Sequence, residues 1–102
     1  MTARSPEMKV TTEQMLKRAF PKGLSKEEYY SLIWVMDEAG MSHRSIANAI
    51  ESSELASWPT AYNDVLGVLH ERDRHVVGGQ RIIERLKLYG YDAWIRRLHE
   101  PL

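Results

Sequence analysis

The sequence predicts an all-α fold, a compact bundle of about six short helices, and three observations carry that reading. Apolar residues recur at helical intervals in successive segments from Thr11 onward. Two Ser/Thr-x-x-Glu/Gln capping boxes open segments of this kind, and glycines stand where helix ends belong. Signals for β-strand are confined to Val76–Ile83. At 102 residues the chain has room for one domain, and a domain of that size spends most of its apolar residues on one core.

Residues 1–10 have no apolar periodicity and include Ser5-Pro6, so they read as a flexible N-terminal arm ahead of a single helical domain over 11–102. Thr11-x-x-Gln14 caps the first helix, whose stripe is Met15, Leu16, Ala19 and Phe20; Pro21 and Gly23 stop it. Ser25-x-x-Glu28 caps the second, with Leu24 and Tyr29 spaced as a hydrophobic staple and Tyr29, Leu32, Ile33 and Met36 facing the core. Gly40 is placed as its left-handed C′ residue, and Met41 can fold back on Met36. Ser42 caps a third helix through Ile46, Ala47 and Ile50, ending in Glu51-Ser52-Ser53-Glu54. Trp58, held extended by Pro59, introduces a fourth with Ala61, Tyr62, Val65, Leu66, Val68 and Leu69, weakened at Gly67.

The alternating charges of Glu71–His75 read as a solvated connection. Over 74–83 two readings compete, because β-branched pairs flanking Gly78-Gly79 also spell a hairpin. The continuation through Ile82, Ile83, Leu86 and Tyr89, with Gly90 as C′ and Tyr91 reaching back to Leu86, favours a fifth helix. Asp92 is then expected to cap a sixth, with Trp94, Ile95 and Leu98 inward and Pro101 closing it.

Phe20-Pro21-Lys22-Gly23-Leu24, Met41-Ser42-His43, and Arg81-Ile82-Ile83-Glu84-Arg85-Leu86 leading to Gly90-Tyr91 resemble a small all-helical family of unknown function found in mycobacteria and their relatives. The likeness spans about residues 15–91. It departs at Gly90-Tyr91-Asp92-Ala93, where that family tends to have Gly-Trp-Pro-Leu, and over 51–80. It implies a helical fold and no activity.

The residues offer little chemistry. No cysteine is present, which excludes disulfides, thiolate metal sites and a Cys nucleophile. His70 and His75 are five apart, about 140° around a helix, whereas a zinc-binding helix needs its pair at i and i+4. Ser42-His43 and Asn63-Asp64 are only sequence neighbours, and Gly78-Gly79 lacks the lysine and spacing of a phosphate loop. The expectation is a protein with no catalytic residues, no cofactor and no metal. No apolar run approaches membrane-spanning length, and the N-terminus has no secretory pattern, so a cytoplasmic location is expected.

A helix-turn-helix regulator is the rival reading, with Ser42–Ala49 as first helix and a second from Thr60, but the gap between them is too long for the motif's tight turn. Charge weighs further against DNA. Lys and Arg outnumber Asp and Glu six to two over 1–26 and seven to five over 65–102, whereas over 27–64 one cation faces seven carboxylates. A recognition unit in that middle third would be repelled by phosphates. An acidic middle suits a basic protein partner instead, with Asp37, Glu38, Glu51 and Glu54 steering it and Trp34 as anchor. Trp34 lies about 140° from Tyr29 on the second helix, off the core stripe and beside Glu27 and Glu38. Its alternative is to be covered by another helix, the last being a candidate. The expected role is an immunity or antitoxin-type inhibitor of a basic toxin, such as a nuclease, acting as a monomer or weak dimer.

Overall fold

The computed structural model describes residues 11–100, and the expected six helices form among them: α1 (Thr12–Ala19), α2 (Lys26–Glu38), α3 (His43–Ser52), α4 (Trp58–His70), α5 (Val76–Leu86) and α6 (Tyr91–Leu98). Residues 1–10, read from sequence as an arm, and Pro101 lie outside the described range. The helix starts follow the caps. Thr11 Oγ1 accepts from Gln14 N at 3.1 Å while Gln14 Oε1 accepts from Thr11 N, and Ser25 and Glu28 repeat the reciprocal pair. Each box satisfies two donors that a helix start would otherwise leave bare. Ser42 Oγ does the same service for Ser45 N.

The end of α2 is a Schellman turn. Gly40, at φ +99°, donates to Asp37 O, and Met41 N reaches Met36 O at 3.1 Å. The end of α3 repeats this hydrogen-bond pattern, with Glu54 N on Glu51 O and Leu55 N on Ile50 O. There the left-handed residue is Glu54, at φ +62°, the one non-glycine with positive φ among the described residues. Trp58, expected to stay extended before Pro59, is already the first residue of α4.

The Val76–Ile83 ambiguity resolves as helix, and packing supplies the reason. A Cβ at Gly78 would overlap the Ser31 side chain, and one at Gly79 would overlap the Trp34 ring. The two glycines let α5 lie directly on α2. Trp34 is only 8% exposed, as in the alternative reading that another helix covers it, and Gly79 of α5 lies against its ring. This corrects the reading of Trp34 as an exposed anchor. Ser31 to Met36 are all buried, so α2 is enclosed on nearly every side and forms the axis of the core.

The ending of α5 also differs from expectation. The chain tightens into a 3₁₀ turn over Lys87–Tyr89, and Gly90, left-handed as predicted, is at once the end of that turn and the N-cap of α6. Asp92 falls inside the first turn of α6 and is not its cap. Trp94 is buried, with Nε1 donating to Thr12 Oγ1 at 2.7 Å, but Leu98 is 38% exposed where an inward position was expected.

Candidate functional site

The carboxylates predicted to form one acidic face are separated by the helices that carry them. Asp37 and Glu38 end α2, beside the start of α3, whereas Glu51 and Glu54 stand at the far end of α3, about 15 Å of helix away. Asp37 is half-buried and paired with Arg72 at 3.4 Å, and Glu38 is exposed. Glu27 and Glu28 open the opposite end of α2, with Glu28 committed to its cap. Asp64 accepts the Tyr29 hydroxyl at 2.8 Å. Burial, followed by that hydrogen bond and the Asp64 charge, raises the Tyr29 hydroxyl well above its usual pKa of 10.0.

Of the predicted residues, Glu51 and Glu54 do share a surface, and it contains two aromatic groups that the sequence reading gave no part in binding. Trp58 and Tyr62 stack on α4 with ring centroids 5.1 Å apart and planes 7° from parallel. Both are partly exposed. Trp58 Nε1 donates to Asn48 Oδ1 at 2.7 Å, and its backbone N–H donates to Glu51 Oε2 at 3.3 Å, fixing the ring against the edge of α3. One turn beyond Tyr62, Leu66 is 45% exposed. Trp58, Tyr62 and Leu66 thus run as an i, i+4, i+8 stripe beside Asn48 and Glu51, with Glu54 in the turn between the helices. From Ser45 to Glu71 the chain has no Lys or Arg and four carboxylates; Arg44, one turn from Asn48, is the one cation that helical spacing puts on this edge of α3. No family model, curated protein or solved structure matches the chain. The likeness to the mycobacterial family accordingly rests on the residues quoted for it alone.

A second concavity lies on the opposite side of α4. There α4 and α5 both pack on α2 and diverge from one another, leaving an open groove of about 1060 Å³ closed at one end by the Glu71–His75 turn. Tyr30 and Ser31 of α2 lie at its base; Asn63, Asp64, Gly67 and Glu71 line one wall. The other carries Arg74, Gly78, Arg81 and Arg85. At the closed end Arg74 binds Glu71 at 2.7 Å, which with the Arg74 charge lowers the Glu71 carboxyl below its ordinary pKa. His75 meets the Tyr30 ring edge-on. Arg85 donates from Nε to Ala19 O at 2.8 Å and lies over the Phe20 ring. Sequence spacing hides this groove, since its walls come from three separate helices.

Among the described residues no three His, Asp or Glu side chains gather as metal ligands, and no helix is long and apolar enough to cross a membrane. The stripe, by contrast, was legible as spacing. The signal was Leu66, a large apolar residue on the same helical line as Trp58 and Tyr62.

Proposed function

We propose that this protein is a non-enzymatic cytoplasmic inhibitor of a basic protein, of the immunity or antitoxin kind, and that it binds its partner through the α3–α4 edge. The observation that carries the reading is the stacked, partly exposed Trp58–Tyr62 pair continued by Leu66 and flanked by Glu51 and Glu54. Interface hot spots favour such aromatics, held rigid beforehand and rimmed by polar groups, because they bury area at small entropic cost. The surrounding 27 residues without Lys or Arg would attract a cationic surface, such as a nuclease's phosphate-binding cleft, and steer its approach. Trp58 takes the anchoring role first given to Trp34, while Glu51 and Glu54 keep the steering role. Asp37, neutralised by Arg72, and Glu38 lie beyond this edge. A DNA-reading role for α4 has no Lys or Arg on that helix to support it.

The test is affinity capture from the source organism with three baits: wild type, Leu66→Glu, and Glu51→Lys combined with Glu54→Lys. A basic protein should be retained by wild type and lost by both variants, and toxicity of that protein on expression should be relieved by co-expressing the wild-type chain. Retention of the same partner by all three baits, or of nucleic acid alone, overturns the proposal.

A further inference from the structure

The groove between α4 and α5 supports an inference beyond that reading, on a different surface. Gly67 sits in the interior of α4, and a Cβ there would meet nothing within 4 Å. Unlike Gly79, it is not demanded by the packing of the chain itself. It lines the groove about 140° around α4 from Tyr62, with Asp64 three residues before it and Glu71 four after, on one face. A helix-interior glycine that the fold does not require, facing an open groove, leaves space for another backbone to approach closely.

The charges of the walls say what kind of occupant fits. Arg81 and Arg85 stand four residues apart on one face of α5, while Arg74 belongs to the preceding turn and is already paired with Glu71. Arg81 has no ion pair among the described residues. The facing wall presents Asp64, Glu71 being paired with Arg74, and the start of α2 adds Lys26, Glu27 and the cap-bound Glu28 at the margin. A uniformly anionic ligand such as a nucleic acid would be attracted by one wall and repelled by the other. A groove of about 1060 Å³ has room for a short helix, whose envelope is ~10 Å across, and not for a folded domain.

We propose that the groove seats a short α-helical segment of a partner protein, which turns an acidic edge toward Arg81 and Arg85 and a basic edge toward Asp64. The open space at Gly67 admits the apolar face of that segment, and Tyr30 offers it an aromatic contact. This is a second contact surface, independent of the α3–α4 edge.

Three 15-residue helical peptides with the same alanine and leucine stripe provide the probes: one with a Glu edge and a Lys edge, one with Glu on both edges, one with Lys on both. Each is titrated into the full-length ¹⁵N-labelled protein, alongside a ten-nucleotide oligothymidine. The mixed-edge peptide should bind saturably, at least five-fold tighter than either uniform peptide, with the largest amide shifts at Ser31, Gly67 and Gly78. Arg81→Glu, at an exposed position, and Gly67→Leu, which fills the groove, should each weaken it five-fold or more, while Glu51→Lys with Glu54→Lys leaves it unchanged. Equal binding of the three peptides, tighter binding of the oligothymidine or the all-Glu peptide, shifts centred elsewhere, or no saturable binding up to 1 mM each overturns the proposal.

Discussion

Glu54 is the residue whose conformation costs most for its position. It occupies the left-handed C′ site that Gly40 and Gly90 fill elsewhere, where a side chain raises the energy by roughly 1–2 kcal/mol. Ser53 beside it is 8% exposed, and its hydroxyl finds no partner. Part of the relief gained by glycine is returned as extra freedom of the unfolded chain, so Glu54→Gly should stabilise by about 0.5–1 kcal/mol in urea denaturation. An unchanged midpoint would mean the carboxylate recovers the strain through a contact of its own. Tyr29 is the residue to follow with pH. Its folded-state pKa is raised by burial and by donation to Asp64, so the folded protein holds that proton more tightly than the unfolded chain. The stabilisation is whole below pH 10 and declines as pH rises beyond it. Denaturation between pH 8 and 11 should show stability falling at the alkaline end, and Tyr29→Phe should flatten that decline. The two tryptophans read differently from sequence must also differ on truncation: Trp34→Ala should cost roughly 3–5 kcal/mol as a core cavity, and Trp58→Ala distinctly less. Equal losses would place the Trp58 ring in the core.

At the scale of the element, two glycines in neighbouring helices should respond to alanine in opposite directions. Gly67→Ala places a methyl in open space and removes a helix-interior glycine, for a gain of about 1 kcal/mol. Gly79→Ala drives a methyl into the Trp34 ring, and overpacking of that kind costs roughly 1–3 kcal/mol. Thermal unfolding of the pair checks both signs. The contrast also marks how far elements could be read in advance. The starts of α1, α2 and α3 were legible because their caps are local chemistry: a hydroxyl, an amide and a spacing of three. The identity of α5 was less so, since Gly78-Gly79 is a turn signal until Ser31 and Trp34 are known to lie against it. Gly90 was recognised as left-handed, but a single residue ending one turn and opening the next helix leaves Asp92 no cap to make. Helical periodicity likewise placed Trp34 off the core stripe, and it could not foresee that α2 would be enclosed by neighbours on several sides.

Across the whole molecule, a contiguous acidic third of the sequence becomes several separate sites. A helix of ten to thirteen residues carries its two ends too far apart for their charges to act as one patch, so Asp37 and Glu51 belong to different surfaces. Net charge along a sequence window is readable; its division among faces is set by the order in which helices pack. The arrangement around α2 has a consequence in time. The helices α1 to α3, each with a capped start, can begin to form while the rest of the chain is still being synthesised, but α5 has two adjacent glycines and no capping side chain. Its hydrogen bonds depend on docking against Ser31 and Trp34. Until α5 docks, the Trp34 ring faces solvent on a nascent chain, which is the interval in which a chaperone or a second chain would find it. The same dependence predicts that α5 in the finished protein opens ahead of global unfolding. Its amides should exchange with deuterium faster than those of α2, and Gly67→Ala, remote from the Gly79 contact, should leave that difference in place.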